Sequence, residues 1–276
     1  VIVKLKAIAA AVPGSERTLR VSWPRQDQAV DSPPPAAMPP PSPQAAAPRP
    51  RAGWLADLAG AWVFYSVLPL PPGLQPRFER IARFAPWVGA LIGALEAGLW
   101  LLLAPGGLLA QVALVIAFGV WISGGLHLDG AMDTADGLAA GPERCLEAMD
   151  DSRVGASGVQ ALLQVLLLRL GGLALLGAAA PWALVWAAVW GRLAPLLAMD
   201  AFPYLRDQDR GTAAFHRRHW RGLLPELLPA LLLLLVLSGL ALALAPGPSA
   251  WLGWIGLLPA VVVPWRLGRR LGGHSG

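Results

Sequence analysis

Leu223-Leu-Pro-Glu-Leu-Leu-Pro-Ala-Leu-Leu-Leu-Leu-Leu-Val-Leu-Ser-Gly-Leu-Ala-Leu-Ala-Leu-Ala245 decides the fold class. A helix needs about 20 apolar residues to cross a bilayer, and this run supplies them with one acid near its start. Comparable runs cover Phe84 to Ala104, Leu108 to Ser123, Gly158 to Ala180, Pro181 to Met199 and Trp251 to Trp265. The composition agrees, because 55% hydrophobic and only 14% charged residues leave too little polar surface for an ordinary soluble domain. The expected fold is all-α: a polytopic integral membrane protein with about six transmembrane helices. Trp54 to Leu70 carries Asp57 and runs into Pro69, Pro71 and Pro72, so it is expected to form an interfacial or buried helix that stops before a full crossing.

The ends read differently. Nine prolines between Pro33 and Pro50 mark residues 1–53 as an arm that cannot bury enough surface to fold, and disorder is expected there. Val1 suggests an incomplete or misplaced start. Residues 54–276 form the helical domain, with a short Gly-rich tail at Gly272-Gly-His-Ser-Gly276.

A pI near 10.3 invites a nucleic-acid reading, but the arginines lie at the ends of apolar runs. Segments 77–83, 139–157, 200–221 and 266–270 fall on one side of the bilayer and hold thirteen arginines, while the turns near 105, 180 and 247 hold no charge. By the positive-inside rule that side is the cytoplasm, and no nucleic-acid partner is expected. The lone Cys145 excludes an intrachain disulfide and cannot alone build a zinc cluster. The 13 tryptophans are read mostly as belt residues at span ends.

The chemistry concentrates in Gly124-Gly-Leu-His-Leu-Asp-Gly-Ala-Met-Asp-Thr-Ala-Asp-Gly137. On a helix Asp129, Asp133 and Asp136 stand at i, i+4 and i+7, which gathers three carboxylates on one face. Such a trio repels itself unless a cation lies between its members, and an all-oxygen set suits Mg²⁺ better than zinc. Glu143-Arg-Cys-Leu-Glu-Ala-Met-Asp-Asp-Ser-Arg-Val-Gly155 follows with more acids and an arginine. Acids with arginine suggest a metal-bridged phosphate: carboxylates hold the ion and a planar guanidinium grips the free oxygens. Asp150 or Asp151 is expected to complete the metal shell and Arg153 to bind phosphate. His127 is read as an orienting residue of the catalytic set, beside Asp133, Asp151 and Arg153. Arg169 and Arg192 sit inside apolar runs, where one of them is expected to pair with Glu96 or reach the acidic site, or else both snorkel toward the interface. The basic segment Arg206 to Arg221, with His216 and His219, is read as a site for an anionic ligand or for anionic lipid.

These two phrases together resemble the signature of the cobalamin synthase, or adenosylcobinamide-GDP ribazoletransferase, family. Gly191-Arg-Leu-Ala-Pro195 and Tyr204-Leu-Arg206 are similar to later family segments, which adds Arg192 and Arg206 to the expected phosphate-binding residues. The resemblance implies a multi-pass enzyme of the bacterial inner membrane that requires Mg²⁺, with its active site facing the cytoplasm and a homo-oligomer left open. Its reaction would join adenosylcobinamide-GDP to α-ribazole or its 5′-phosphate and release GMP. Two departures stand out. A Phe-Leu-Thr-Arg-x-Pro-like phrase reads Phe64-Tyr-Ser-Val-Leu-Pro69 here, without its arginine, and an expected aspartate and further helical stretch after Gly273 are missing, as in a chain truncated at its C-terminus. The rival readings are a CDP-alcohol phosphotransferase, whose Asp-Gly-x-x-Ala-Arg phrase is absent, and a cation- or proton-coupled transporter using Glu96, Arg169 and Arg192.

Overall fold

The structure is a computed structural model that describes residues 53–205, 212–244 and 248–272. The proline-rich arm apart from Gly53, Arg206 and the last four residues lie outside the described residues. Every element is helical: α1 (Trp54–Tyr65), α2 (Ala85–Leu102), α3 (Leu108–Ile122), α4 (Leu126–Ala140), α5 (Cys145–Asp150), α6 (Ala156–Leu176), α7 (Ala180–Ala201), α8 (Thr212–Arg218), α9 (Leu223–Leu244) and α10 (Leu257–Gly272), with short 3-10 turns between several of them.

Four helical segments have the length and apolarity of membrane spans: Ala82–Leu102, Ala156–Ala201, Leu223–Leu244 and Trp251–Gly272. The bent pair Leu108–Ile122 with Leu126–Ala140 makes a fifth if it is one span. Segment Ala156–Ala201 is not a rod. Leu166, Leu173, Ala180 and Leu184 pack in one cluster, whereas a straight helix rising 1.5 Å per residue would hold its first and last members about 27 Å apart. The chain folds back at Gly177, whose φ is 49°, and so yields α6 and α7. The apolar runs of the sequence are helical: the described residues hold four or five unbroken segments, and with α6 and α7 counted apart and the bent pair taken as one span they give about the six spans expected.

α7 is the central helix. Trp186, Val189, Trp190 and Leu193 pack on Ala230, Leu233, Leu234 and Leu237 of α9 and on Ala260 of α10. At its other end Leu184 joins Trp100, Val112 and Val115 from α2 and α3. Trp186 stacks on Trp190, and Trp254 packs against both, tilted on one and edge-on to the other, so these rings are core rather than belt. Trp54, Trp121, Trp251 and Trp265 remain exposed. Leu168, Leu175 and Leu235 also point outward at 70% exposure or more, an arrangement that water penalises and lipid does not.

α1 ends at Tyr65, short of the prolines and too short to span. Its Asp57 is fully buried and accepts from Arg77 Nε at 2.5 Å and from Arg83 Nη2. Arg80 Nη2 meets buried Glu226 of α9 at 2.5 Å. The basic cluster before α2 therefore ties three helices together at one end of the bundle.

The bend that presents the acidic helix is made by Gly124 and Gly125, at φ 61° and 69°. Two successive left-handed residues are costly for any side chain with a Cβ. They turn α4 by 86° from α3. Gly125→Ala is expected to cost about 1–2 kcal/mol of stability, while Gly130→Ala, inside α4 where an added Cβ meets nothing, is expected to be neutral or to stabilise by up to about 1 kcal/mol. Thermal unfolding in detergent micelles measures both, and shifts of one sign would contradict the bend.

Candidate active site

α4 starts at the bend and carries His127, Asp129, Asp133 and Asp136. Its helical period puts the three carboxylates on one side as expected, but their surroundings differ. Asp129 is exposed, and Asp133 and Asp136 are half-buried. Asp136 Oδ2 accepts from the Gly155 backbone N–H at 2.8 Å, and Oδ1 accepts from Gly158 at 2.7 Å. These donors begin α6, so Asp136 caps that helix from a distance in sequence. Glycine is required at both positions, because an added Cβ would run into the carboxylate. The trio is thus not equivalent: Asp136 has both oxygens engaged by the protein, unlike the set of three metal ligands expected from spacing alone.

The capped turn holds the second acidic phrase. Arg153 donates to Asp151 through Nη2 at 2.6 Å and through Nε and its backbone N–H at about 3 Å. Hydrogen bonds from the guanidinium and the backbone N–H hold the Asp151 carboxyl down at about 2 and push the Arg153 pKa up. The pair is exposed on the arginine side, so the fork is accessible to solvent. Asp150 ends α5 and is exposed. Cys145 is buried at 2% exposure, packed with Met149 beside Gly137, so its thiol cannot report on either face of a membrane.

Among the described residues no three His, Cys, Asp or Glu side chains converge closely enough to hold a metal ion. Mg²⁺ does not need such a cage, since it is usually held by one or two carboxylates together with substrate phosphates and water. Two oxygen-donor side chains one turn apart, Asp129 and Asp133, fit that requirement.

Below α4 a cavity of about 420 Å³ opens between α2, α3, α6 and α7. His127, Leu128 and Ala131 form its roof, and Ile92, Val165 and Leu184 are among its apolar walls. Three charged side chains reach it. Arg169 Nη2 donates to Glu96 Oε1 at 2.5 Å, which answers the pairing question for Glu96. Arg192 is 7% exposed; its Nη1 donates to the Ala188 carbonyl at 3.2 Å and its Nε has no hydrogen-bond partner. Arg192 therefore stands in the cavity, on a different wall of the site from Arg153. Arg217 donates to the Phe202 carbonyl at 2.8 Å, and His216 is buried against Phe64 and Phe215. Burial lowers the His216 pKa to about 4, and its Nδ1 is buried without a hydrogen-bond partner.

Sequence reading missed the role of Gly155 and Gly158 as the seat of Asp136, and it missed the cavity. The signal for the first is a Gly-x-x-Gly at the start of an apolar run, downstream of an acid with no cation near it in sequence. The second has no local signal, since its walls come from five helices.

The description Cobalamin-5-phosphate synthase matches residues 57–276. An adenosylcobinamide-GDP ribazoletransferase of Prochlorococcus marinus (strain MIT 9313) is 60% identical over 81% of this chain and 88% of its own length. An enzyme of the same name from Synechocystis sp. (strain ATCC 27184 / PCC 6803 / Kazusa) is 40% identical over 81% of this chain and 88% of the relative. Another, from Trichormus variabilis (strain ATCC 29413 / PCC 7937), is 38% identical over 80% of this chain and 89% of the relative. No solved structure matches. With its helical portion matched almost from end to end, the chain belongs to the cobalamin-5-phosphate synthase family.

Proposed function

We propose that the exposed face of α4 and the turn that Asp136 holds against it form the transfer centre of an adenosylcobinamide-GDP ribazoletransferase. The chain is a transferase of cobalamin biosynthesis by its family and its 60% identity to a relative of that name. The observation that carries the site assignment is the pair of Asp136 hydrogen bonds, which fixes the Asp151–Arg153 turn beside the helix bearing Asp129 and Asp133.

In this reading Asp129 and Asp133 hold Mg²⁺, with Asp150 or Asp151 nearby and Asp136 as the brace. The ion, when bound, neutralises charge on the diphosphate of adenosylcobinamide-GDP. Arg153 exchanges Asp151 for a phosphate oxygen, a bidentate contact of the same geometry. The ribose hydroxyl of α-ribazole attacks the phosphorus next to cobinamide, a new P–O bond forms, the P–O bond to GMP breaks, and GMP leaves with the electron pair. His127, at the mouth of the cavity, is positioned to orient that hydroxyl and accept its proton. Positioning and charge stabilisation supply most of what such a transfer needs. The one-sided arginines support an orientation with the acidic face toward the cytoplasm of a bacterial inner membrane. Arg77, Arg80 and Arg83 also serve ion pairs, so the remaining arginines carry that argument. Arg206 keeps its place among the phosphate-binding residues through family similarity. The transport reading is set aside because the family and the relatives are transferases.

Three outcomes test this reading. Asp133→Asn is expected to lower turnover at least 100-fold at saturating Mg²⁺ while unfolding temperature in micelles stays within a degree or two of the parent. Asp136→Asn is expected to lose about 0.5–2 kcal/mol of stability, the usual worth of a helix cap, and to keep measurable turnover. The opposite pattern would make Asp136 the metal ligand and Asp133 the brace. For orientation, a cysteine at exposed position 143 (Glu143→Cys) replaces the buried native thiol as reporter. An impermeant maleimide is expected to label it only in opened spheroplasts, and labelling of intact ones would place the site on the wrong side for cytosolic nucleotide.

A further inference from the structure

The cavity under α4 is not used by the diphosphate chemistry above, yet it is built as a binding site. Its walls are apolar, and the titratable side chains lining it are Glu96, His127, Arg169 and Arg192. The Glu96 carboxylate hydrogen-bonds Arg169 and also acts on Arg192 at longer range, so two guanidiniums share one carboxylate and the lining carries a guanidinium in excess. Arg192 is more than nine-tenths buried, and its Nε lacks a partner. A buried charge in surroundings of low dielectric is expensive unless a counterion meets it. The Arg192 fork therefore calls for an anion, and the walls beside it call for a flat apolar body.

We infer that this cavity is the acceptor pocket, taking a small aromatic nucleoside by its base against the apolar walls and by a phosphate monoester on Arg192. The inference rests on the transfer reading. His127, Leu128 and Ala131 roof the pocket from the helix that also carries Asp129 and Asp133, so a nucleoside held there offers its sugar to the acidic face. Gly172 lines the same space, and a Cβ built on it meets nothing within 4 Å. The pocket thus separates two tasks: Arg153 serves the donor at the surface, and Arg192 sets the preference for a phosphorylated acceptor. A lipid headgroup offers the same phosphate chemistry at this depth, and the test distinguishes the two sources.

Transfer by the full chain in micelles is measured with α-ribazole 5′-phosphate and with α-ribazole, at fixed adenosylcobinamide-GDP and Mg²⁺. The parent is expected to favour the phosphorylated acceptor in kcat/KM. Arg192→Gln is expected to shrink that preference roughly 10- to 100-fold, the worth of a charge-assisted hydrogen bond, chiefly through KM. Arg192→Lys should restore part of it. Gly172→Leu fills the pocket without touching a charge, and is expected to raise KM for both acceptors and leave KM for adenosylcobinamide-GDP unchanged. Equal losses on both acceptors in Arg192→Gln, or a donor KM raised by Gly172→Leu, would overturn the assignment. An intact acceptor preference in Arg192→Gln, with stability lost only in nanodiscs containing phosphatidylglycerol, would give the guanidinium to a lipid and overturn it too. If the parent transfers neither acceptor, the transferase reading fails. Calorimetric titration with α-ribazole 5′-phosphate then decides the pocket alone, by whether Arg192→Gln weakens binding.

Discussion

The two hydrogen bonds from Gly155 and Gly158 to the Asp136 carboxylate are the constraint on which the site depends. They join the end of an acidic surface helix to the beginning of a membrane helix, with donor and acceptor 19 and 22 positions apart in sequence. They act with the packing of Met149 against Gly137 to hold the turn carrying Asp151 and Arg153 on α4. The start of a helix leaves several N–H groups unpaired, and a carboxylate also meets the favourable end of the helix dipole there. One side chain thus satisfies a helix terminus and sets the separation between two acidic phrases.

Charge pairing governs the rest of the bundle in the same manner. Buried Asp57 takes Arg77 and Arg83, buried Glu226 takes Arg80, and buried Glu96 takes Arg169. Glu96 and Arg169 link α2 to α6, and Arg77, Arg80 and Arg83 tie the segment before α2 to α1 and α9, so the few charges placed at depth also fix how the helices meet. Removing one member would strand the other, which is why such pairs resist change even when their net contribution to stability is small. Arg192 breaks this pattern, and it does so at the cavity beneath the acidic helix.

Much of the architecture was legible in the sequence because apolar length and helical period are local properties. The runs from Phe84 to Trp265 are helices, and the Asp129, Asp133 and Asp136 spacing survives as one face of α4. The family resemblance rested on residues contiguous in the chain, and the match to residues 57–276 bears it out. What sequence could not supply was long-range pairing. Asp136 looked identical to its two neighbours until Gly155 and Gly158 were placed over it. Arg77, Arg80 and Arg83 looked like a topology signal, although their partners lie twenty or more residues away, in one case 146. Trp186 and Trp190 looked like interface residues because Trp254, which packs against both, comes from a distant segment of the chain. His216 gave no sign in sequence of its burial against Phe64, which lies in another helix.

The reaction itself is most directly tested by product stoichiometry. The purified full-length chain, given adenosylcobinamide-GDP, α-ribazole 5′-phosphate and Mg²⁺, should release one GMP for each lower-nucleotide loop completed. Both products should fall to the blank when the metal is chelated and return when it is restored. GMP formed without a joined corrinoid would mean hydrolysis, and no GMP above the blank would mean that the acidic face of α4 is not a transfer centre.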